Sequence, residues 1–217
     1  MNLHRPPKPP SGYPEASFRP SGSQPVGTQR LPSGYPEATP RLPRGKGNDL
    51  LPARRILTSG MDIKIRKAAL ADLSAIADFN VRLAQESEGL GLDAARVKAG
   101  VGAILADPAK GVYYVAEVAG AVAGQLMITY EWSDWRNGNM WWIQSVYVKP
   151  EVRRAGVFRA LFHHVQDLAR SQKEVCCLRL YVHADNTRAC QSYERLGMTR
   201  TKYEIFDLDV WKDGERP

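Results

Sequence analysis

The hydrophobic period of the chain changes inside residues 141–161, and this change constrains the fold more than any other feature of the sequence. Residues 141–148 are mostly aromatic or β-branched, which favours a strand. Pro150 cannot continue a hydrogen-bonded ladder, and from Gly156 onward the apolar residues are spaced three and four apart, as on one helix face. The stretch therefore predicts a strand, a short basic turn and a helix in direct succession.

The basic turn carries residues that suit a phosphate group. Arg153, Arg154 and Arg159 surround Gly156, where the missing Cβ lets a ligand approach the backbone. The first amides of a helix have no partner within the helix and lie at the positive end of its dipole. The spacing alone leaves two interpretations open, an anion site or a helix start with solvated arginines. It matches neither a P-loop nor the three-glycine dinucleotide fingerprint.

Two motifs in this region resemble those of the GNAT superfamily of acetyl-CoA-dependent N-acetyltransferases. Arg153-x-x-Gly156-x-Phe158 is similar to motif A of the superfamily, Gln/Arg-x-x-Gly-x-Gly/Ala, although Phe158 stands where Gly or Ala is usual. A second stretch resembles motif B, Asn-x-x-Ala-x-x-x-Tyr-Glu-x-x-Gly-Phe/Met, through Asn186, Ala189, Tyr193, Glu194, Gly197 and Met198. The two motifs occur in the expected order and separation, and the resemblance extends over about residues 62–210.

The resemblance implies an α/β (α+β) fold with a GNAT-like mixed, mostly antiparallel twisted sheet of about six to seven strands flanked by about four helices. The sheet is expected to splay at the acetyl-CoA site. Hydrophobic periodicity, read independently, predicts the same order of elements. It gives a strand around 63–65, helices over 72–84 and 93–106, strands over 112–118, 121–130 and 140–148, a helix over 156–171, a strand over 176–182, a helix over 186–196 and a last strand over 198–208.

Residues 1–60 differ in composition from the rest of the chain. They hold 12 of the 15 prolines and nine basic against three acidic residues, whereas residues 61–217 hold 21 basic and 20 acidic residues. We predict a disordered Pro/Arg-rich tail at 1–60 and one N-acetyltransferase domain at 61–217, because the tail has too little apolar surface to offset the entropy of ordering it. A repeated Pro-Ser-Gly-Tyr-Pro-Glu-Ala segment is either a partner-binding motif or part of a dispensable tail. Met61 directly precedes the first predicted strand, and we therefore hypothesise that translation begins at Met61.

Charge, cysteine content and hydropathy indicate which partners and which cellular compartment to expect. The net charge of +7 lies almost entirely in the predicted tail, so we expect no nucleic-acid partner for the domain. Three cysteines, two of them adjacent and none at metal-ligand spacing, favour a reduced, cytoplasmic protein without a metal. No apolar run approaches the ~20 residues of a membrane span, so no membrane partner is expected. The sequence is compatible with a homodimer.

The resemblance also assigns a coenzyme A site. In the superfamily, the strand before motif A binds the pantetheine arm through its backbone, and the amides of motif A surround the pyrophosphate. The Asn of motif B either caps its helix, positions the cofactor arm, or does both. The cofactor-binding residues implied in this way are Val146, Tyr147, Val148, Arg153, Arg154, Ala155, Gly156, Val157, Phe158, Arg159 and Asn186.

Two residues are predicted to be catalytic. Tyr193 matches the motif B tyrosine, which in the superfamily protonates the departing thiolate; the alternative is a helix tyrosine that packs on the core. Part of the superfamily uses a Glu on the motif A strand as general base, but Trp142 stands at that position. Either water takes over that role or Glu131 does, with Asp134 and Glu86 as further candidates. The alternative for Glu131 is a solvated acid at a strand end.

We therefore expect an N-acetyltransferase that moves the acetyl group of acetyl-CoA to a primary amine, of a small molecule rather than a protein, by direct attack in a ternary complex. The alternatives are a protein N-terminal or lysine acetyltransferase and a non-catalytic acetyl-CoA-binding protein. Four indoles bracket the hairpin that contains Glu131 and Asp134, so they either form a pocket for an organic amine or belong to the core. They are Trp132, Trp135, Trp141 and Trp142.

Overall fold

The computed structural model describes residues 54–58 and 61–210. Its longer elements are, in chain order, β1 (Arg54–Thr58), β2 (Met61–Lys67), α1 (Leu73–Glu88), α2 (Ala94–Ala106), β3 (Val112–Val118), β4 (Ala121–Ser133), β5 (Gly138–Val148), α3 (Val157–Ser171), β6 (Val175–Arg179) and α4 (Thr187–Arg195). Short 3₁₀ helices, Leu70–Asp72 and Pro150–Val152, precede α1 and α3.

Within the described residues the strands form one sheet in the order β1-β2-β3-β4-β5-β6. Neighbouring strands are antiparallel up to β5, whereas β6 is parallel to β5. Turn residues explain the central meander, because Ala119, Gly120 and Asn137 have positive φ angles of 50°, 78° and 45°, the backbone conformation of tight hairpins. The predicted fold class and both predicted hairpins are confirmed.

The two faces of the sheet bury different side chains because successive residues of a strand point to opposite sides. On one face, Leu126 of β4 and Ile143 of β5 belong to a core cluster with Leu161 of α3. On the other face, Val115 of β3 belongs to a cluster with Ile76 of α1 and residues of α2. Helix α3 therefore covers one side of the sheet, and α1 with α2 covers the other.

An extra residue in β5 forms a bulge near the end of this strand. Gln125 pairs with Tyr147 and Met127 pairs with Gln144, so β5 uses three residues where β4 uses two. Ser145, within the bulge, has a φ angle of 50°, in the left-handed region that non-glycine residues rarely adopt. The side-chain Nε2 of Gln125 donates to the Ser145 carbonyl oxygen at 3.2 Å and so holds the bulge in place.

One strand lies inside the segment predicted to be a disordered tail. Strand β1 pairs antiparallel with β2, with Ile56 opposite Ile63. A strand of five residues gives too short an alternation to stand out beside Pro52, and its stability comes from pairing with β2 rather than from its own sequence. The rest of the predicted tail, residues 1–53 and 59–60, lies outside the described residues, and a chain beginning at Met61 would lack β1.

The last predicted strand, residues 198–208, does not form. Gly197 has a φ angle of 86° and ends the α4 region as predicted, but residues 199–210 have no regular secondary structure. No backbone hydrogen bond joins them to another described residue. Their alternating apolar pattern is typical of a strand, but a strand also needs a neighbour for its backbone groups. The predicted strand over 176–182 is confirmed as β6, although β6 ends at Arg179.

Candidate active site

A groove of about 600 Å³ opens between the turn before α3 and one face of α4. Its first wall is formed by Val148 and residues 152–159, which include the whole of motif A. Its second wall is formed by four side chains of α4, Arg188, Gln191, Ser192 and Arg195. Exposed guanidinium groups surround the groove and favour an anionic ligand. They belong to Arg154, Arg159, Arg188 and Arg195.

The turn enters α3 in a conformation that suits close approach by such a ligand. Gly156, directly before the helix, has a φ angle of 88°, and Arg154 has a φ angle of 67°. The Gly156 conformation is easily reached only without a Cβ. Helix α3 begins without a side-chain cap, so its first N–H groups are the kind of donors that bind phosphates. Arginines, glycine and uncapped helix start together fit the diphosphate of a coenzyme A.

Strands β5 and β6 separate beside this groove. Their parallel pairing runs from Asn139 to the pair formed by Trp142 and Arg179, where β6 ends. Strand β5 continues to Val148, paired on its other side with β4. The backbone of residues 143–148 therefore faces an opening where the next strand would lie, and Val148 at the end of this stretch also lines the groove. This is the predicted splay of the sheet.

Arg153 connects three elements around the opening. Its Nε donates to the Val148 carbonyl oxygen at 2.8 Å, its Nη2 bonds to the Glu86 carboxylate, and its guanidinium carbon lies 5.5 Å from the ring centroid of Tyr147. The Tyr147 hydroxyl donates to Glu86 at 2.9 Å. Burial acts to raise the pKa of Glu86, but the hydrogen bonds from Arg153 and Tyr147 outweigh it and lower the pKa below its usual value. Glu86 is thus an ionised anchor for Arg153 rather than a basic carboxylate.

Tyr193 lies half-buried on α4 against the residue that departs from motif A. The rings of Phe158 and Tyr193 meet edge to face with centroids 5.7 Å apart. Phe158 therefore points toward α4, and its place in the motif is compatible with an open backbone at the turn. Burial raises the pKa of the Tyr193 hydroxyl, which keeps it protonated, as a proton donor must be.

Asn186 is the N-cap of α4. Its side-chain Oδ1 accepts a hydrogen bond from the Ala189 amide at 3.1 Å. This contact fixes the first turn of the helix, and it thereby orients Arg188 and Arg195 toward the groove. Of the two roles that the sequence leaves open for Asn186, capping is confirmed and contact with a cofactor stays a prediction.

Glu131 lies beside the half of β5 that is paired on both sides. It is paired with Met140, and Met140 precedes Val146 by six residues, about 20 Å along a strand. The Glu131 carboxylate accepts a hydrogen bond from the Trp142 indole N–H, and its Oε2 lies 3.6 Å from Nη1 of Arg179. The structure therefore does not bring Glu131 together with the groove, and its role as general base stays a prediction.

Of the two interpretations of the four indoles, a shared pocket or core packing, the pocket is not formed. Trp141 is buried in the core beside α3, whereas Trp142, its neighbour in the strand, points to the opposite face. Trp132 and Trp135 are 57% and 89% exposed. The ring of Trp142 is occupied by Arg179, whose guanidinium carbon lies 5.3 Å from the ring centroid. Sequence proximity suggested a pocket, but strand alternation distributes the four rings over different surfaces.

Sequence reasoning misses the arginines of the second wall. Arg188 and Arg195 are seven residues apart, with Gln191 and Ser192 between them, a spacing that places all four on one helix face. That spacing is a usable signal, because motif B already predicts the helix. The sequence alone does not show that this helix face lies opposite motif A.

A buried polar network behind the β5 bulge is also missed. Nε2 of Gln125 donates to Oδ1 of Asn80 at 2.7 Å as well as to Ser145, and Nδ2 of Asn80 donates to the Tyr113 hydroxyl at 3.0 Å. Gln125 is fully buried, and its Oε1 has no partner among the described residues. The signal is a lone glutamine inside the otherwise apolar run of β4.

Within residues 54–58 and 61–210, no group of three or more His, Cys, Asp or Glu side chains could hold a metal ion. In the same residues, no helix combines the length and the apolar character that crossing a membrane requires.

The splayed sheet and the arginine-lined helix start together form one basic groove that continues into an open strand edge. The model of the acetyltransferase (GNAT) family matches residues 81–198. The chain therefore belongs to the GNAT family and is an acetyl-CoA-dependent N-acetyltransferase. No curated protein matches the chain.

Solved structures of acetyltransferases are similar to this chain. A possible acetyltransferase from Clostridium difficile 630 is 45% identical, with a TM-score of 0.66 over 69% of this chain and 99% of that chain. A predicted acetyltransferase with acetyl-CoA from Clostridium acetobutylicum is 18% identical, with a TM-score of 0.57 over 68% of this chain and 96% of that chain. An aminoglycoside N-acetyltransferase in complex with CoA is 18% identical, with a TM-score of 0.58 over 72% and 100%. The latter two share the fold.

Proposed function

We propose that the groove binds the phosphates of acetyl-CoA, that the open edge of β5 binds its arm, and that the enzyme acetylates a primary amine of a small molecule in a ternary complex. The observation that carries this proposal is the continuity of the two features at Val148. This residue lines the groove and ends the stretch of β5 that has lost its β6 neighbour.

The predicted cofactor-binding residues have three kinds of role. Backbone groups of Val146, Tyr147 and Val148 hydrogen-bond to the arm, because extended backbone with an open edge accepts a further strand-like partner. The amides of residues 154–159 and the surrounding guanidinium groups hold the phosphates. Arg153 acts as a positioning residue, since its donors are already directed to Val148 and Glu86.

In the proposed reaction a neutral amine attacks the thioester carbon that acetyl-CoA supplies, a C–N bond forms and the C–S bond breaks. The Tyr193 hydroxyl gives its proton to the departing sulfur, and a β5 amide near Val146 donates to the carbonyl oxygen as negative charge develops there. The raised pKa of Tyr193 supports the assignment, because the hydroxyl is protonated at neutral pH.

The proton of the attacking amine leaves to water or to Glu131. Water is favoured by two observations: Glu131 already accepts from the Trp142 indole and faces Arg179, and it lies far along β5 from Val146. Glu86 is a weaker candidate still, because its lowered pKa makes it a poor proton acceptor.

A small-molecule acceptor is supported by the fold shared with the aminoglycoside N-acetyltransferase, although such a likeness also fits a protein N-terminal or lysine acetyltransferase. The groove is common to both kinds of acetyltransferase, because it serves the cosubstrate and the acceptor site is built from other residues.

The test is release of free thiol from acetyl-CoA with a panel of polyamines, amino acids, aminoglycosides and peptides as acceptors, combined with calorimetric titration of acetyl-CoA. We expect binding and turnover with at least one small amine. Turnover with peptides alone would support a protein acceptor. Binding without turnover on any acceptor would contradict the enzymatic assignment.

A further inference from the structure

Ser145 lies in the β5 bulge with a backbone conformation that serine rarely adopts. Its φ angle is 50°, and a bulge whose extra residue is left-handed normally has glycine there, because a Cβ is strained in this region. The other described residues besides glycine with a positive φ angle, Ala119, Asn137 and Arg154, all lie in turns. Among the described residues Ser145 thus carries this strain inside a strand, which indicates that its side chain has a function.

A network of hydrogen bonds orients the Ser145 hydroxyl from the side of the sheet that α1 covers. The Tyr113 hydroxyl has two hydrogen-bonding neighbours, Asn80 and Ser145. Nδ2 of Asn80 donates to this hydroxyl at 3.0 Å, because Oδ1 of Asn80 already accepts from Gln125. The Tyr113 oxygen therefore accepts from Asn80, and its own proton is directed to the Ser145 oxygen.

Ser145 is the point where this network meets the edge of β5. Tyr113 and Gln125 are 2% and 0% exposed, whereas Ser145 is half-buried. It belongs to residues 143–148, which have no β6 neighbour. A hydroxyl oxygen has two lone pairs, so the Ser145 oxygen keeps one free when Tyr113 donates to the other. It can accept a hydrogen bond from an N–H group at the opening.

Ser145 and Tyr193 face the opening from opposite sides of the sheet. Tyr113, the neighbour of Ser145, belongs to the core cluster that α1 and α2 cover. Tyr193 contacts Phe158, which packs against the core cluster of α3. A thioester held at the opening therefore has a proton donor for its sulfur on one side and the Ser145 oxygen on the other.

We propose that the Ser145 hydroxyl binds the attacking amine and directs its lone pair at the thioester carbon. In the proposed function, on which this inference rests, the amine N–H donates to the Ser145 oxygen. This hydrogen bond strengthens as the nitrogen becomes positive during attack. An interaction that is stronger in the transition state than in the ground state raises the rate. The amine proton itself still leaves to water.

The test uses the best amine acceptor of the panel and two substitutions at equal φ angles. Ser145→Gly removes the hydroxyl and relieves the backbone, and Ala119→Gly relieves the same φ angle of 50° in an exposed turn. Both should melt within about 5 °C of wild type. We expect Ser145→Gly to lower kcat/KM for the amine by roughly 10- to 100-fold, because a hydrogen bond to a developing charge is lost. Ala119→Gly should match wild type.

The acetyl-CoA affinity separates contact with the amine from a change in the shape of β5. Calorimetry should give a Kd for acetyl-CoA within about twofold of wild type in Ser145→Gly, because the proposed contact is to the amine alone. Ser145→Ala removes the same hydroxyl but keeps the Cβ and the strained φ angle, and it should lose as much kcat/KM as Ser145→Gly. Tyr113→Phe should cost roughly 3- to 10-fold by itself and nothing further in the Ser145→Gly background.

Each alternative result has a distinct meaning. Wild-type kcat/KM in either Ser145 variant would overturn the inference and leave the proposed function intact. Equal losses in acetyl-CoA affinity and in kcat/KM would also overturn it, because Ser145 would then only shape the edge of β5. A wild-type chain that binds acetyl-CoA but acetylates no amine would contradict the proposed function, and the inference with it.

Discussion

The two halves of strand β5 have similar aromatic and β-branched sequences but opposite surroundings. Residues 139–142 are paired on both sides, with β4 and with β6. Their one outward indole, Trp142, donates to Glu131 and is covered by Arg179. Residues 143–148 are paired with β4 alone, contain the bulge at Ser145 and end in the groove.

The difference shows that the candidate active site lies where strand pairing stops. Backbone groups that are paired on both sides have no donors left for a ligand, whereas an open edge offers them in a fixed geometry. The closed half, residues 139–142, joins β4 to β6, and its Trp142 contacts Glu131 and Arg179. The open half, residues 143–148, begins where β6 ends and contains the bulge, which Gln125 holds from the neighbouring strand.

The largest effect is expected from removal of the Tyr193 hydroxyl. Tyr193→Phe should lower kcat by roughly 10- to 1000-fold and leave the KM for acetyl-CoA little changed, because general acid catalysis is worth ~10²–10⁴ and the ring that packs on Phe158 is kept. Since burial raises the pKa of Tyr193, wild-type kcat should not fall from ionisation of this hydroxyl below about pH 10. Single-turnover rates measure both.

Tyr130→Phe makes the same chemical change on a ring that contacts Trp141 outside the groove, and it should leave kcat near the wild-type value. An unchanged single-turnover rate for Tyr193→Phe would remove this residue from the chemistry. It would then be a packing residue of α4.

An intermediate effect is expected from the support of the bulge. Gln125→Leu removes the donor to Asn80 and Ser145 and leaves two half-buried carbonyl oxygens without it, which costs about 1–3 kcal/mol of unfolding free energy. We also expect the KM for acetyl-CoA to rise by roughly 3- to 10-fold, because the open edge shifts. Urea unfolding and steady-state kinetics measure the two effects.

Gln85→Leu on the exposed side of α1 is the control for Gln125→Leu, and its unfolding free energy should stay within about 0.5 kcal/mol of wild type. Loss of stability in Gln125→Leu without any change in KM would mean that the network supports the core alone. The distinction between the halves of β5 would then rest on β6 and not on the bulge.

Much of this arrangement follows from the sequence, because hydrophobic period and turn residues are local signals. The strand, basic turn and helix around Gly156 and the hairpin at Asn137 are predicted from such signals and are found. The bulge at Ser145 is not predictable in this way, since it depends on register against β4 and on a glutamine from that strand.

The remaining differences arise because the hydrophobic period of a sequence tells which residues share a face of a helix or strand. It does not tell which other element covers that face. The indoles of Trp141 and Trp142 are adjacent in sequence and lie on opposite faces of the sheet. Residues 199–210 have the pattern of a strand, but only a neighbour can make them one. The arginines of α4 gain their role from the groove across which they face motif A.

The smallest effect is expected in the closed half. Glu131→Gln keeps the size of the side chain and one oxygen that can accept from the Trp142 indole, and it removes the charge beside Arg179. The value of kcat should therefore change by less than about threefold if water accepts the amine proton. The pH dependence of kcat/KM measures this directly. A fall of about a hundredfold with loss of the acidic limb would restore Glu131 as the general base.

The most direct test of the central claim is the acetyl-CoA affinity of two glutamate variants, measured by calorimetry. Gly156→Glu introduces a side chain and a negative charge where the helix start faces the groove, at a residue with a φ angle of 88°. Gly100→Glu makes the same change on α2, where an added Cβ meets nothing within 4 Å. We predict at least roughly tenfold weaker binding for Gly156→Glu and wild-type affinity for Gly100→Glu. Equal affinities of the two variants would contradict the claim that the groove at the open end of β5 holds the cosubstrate.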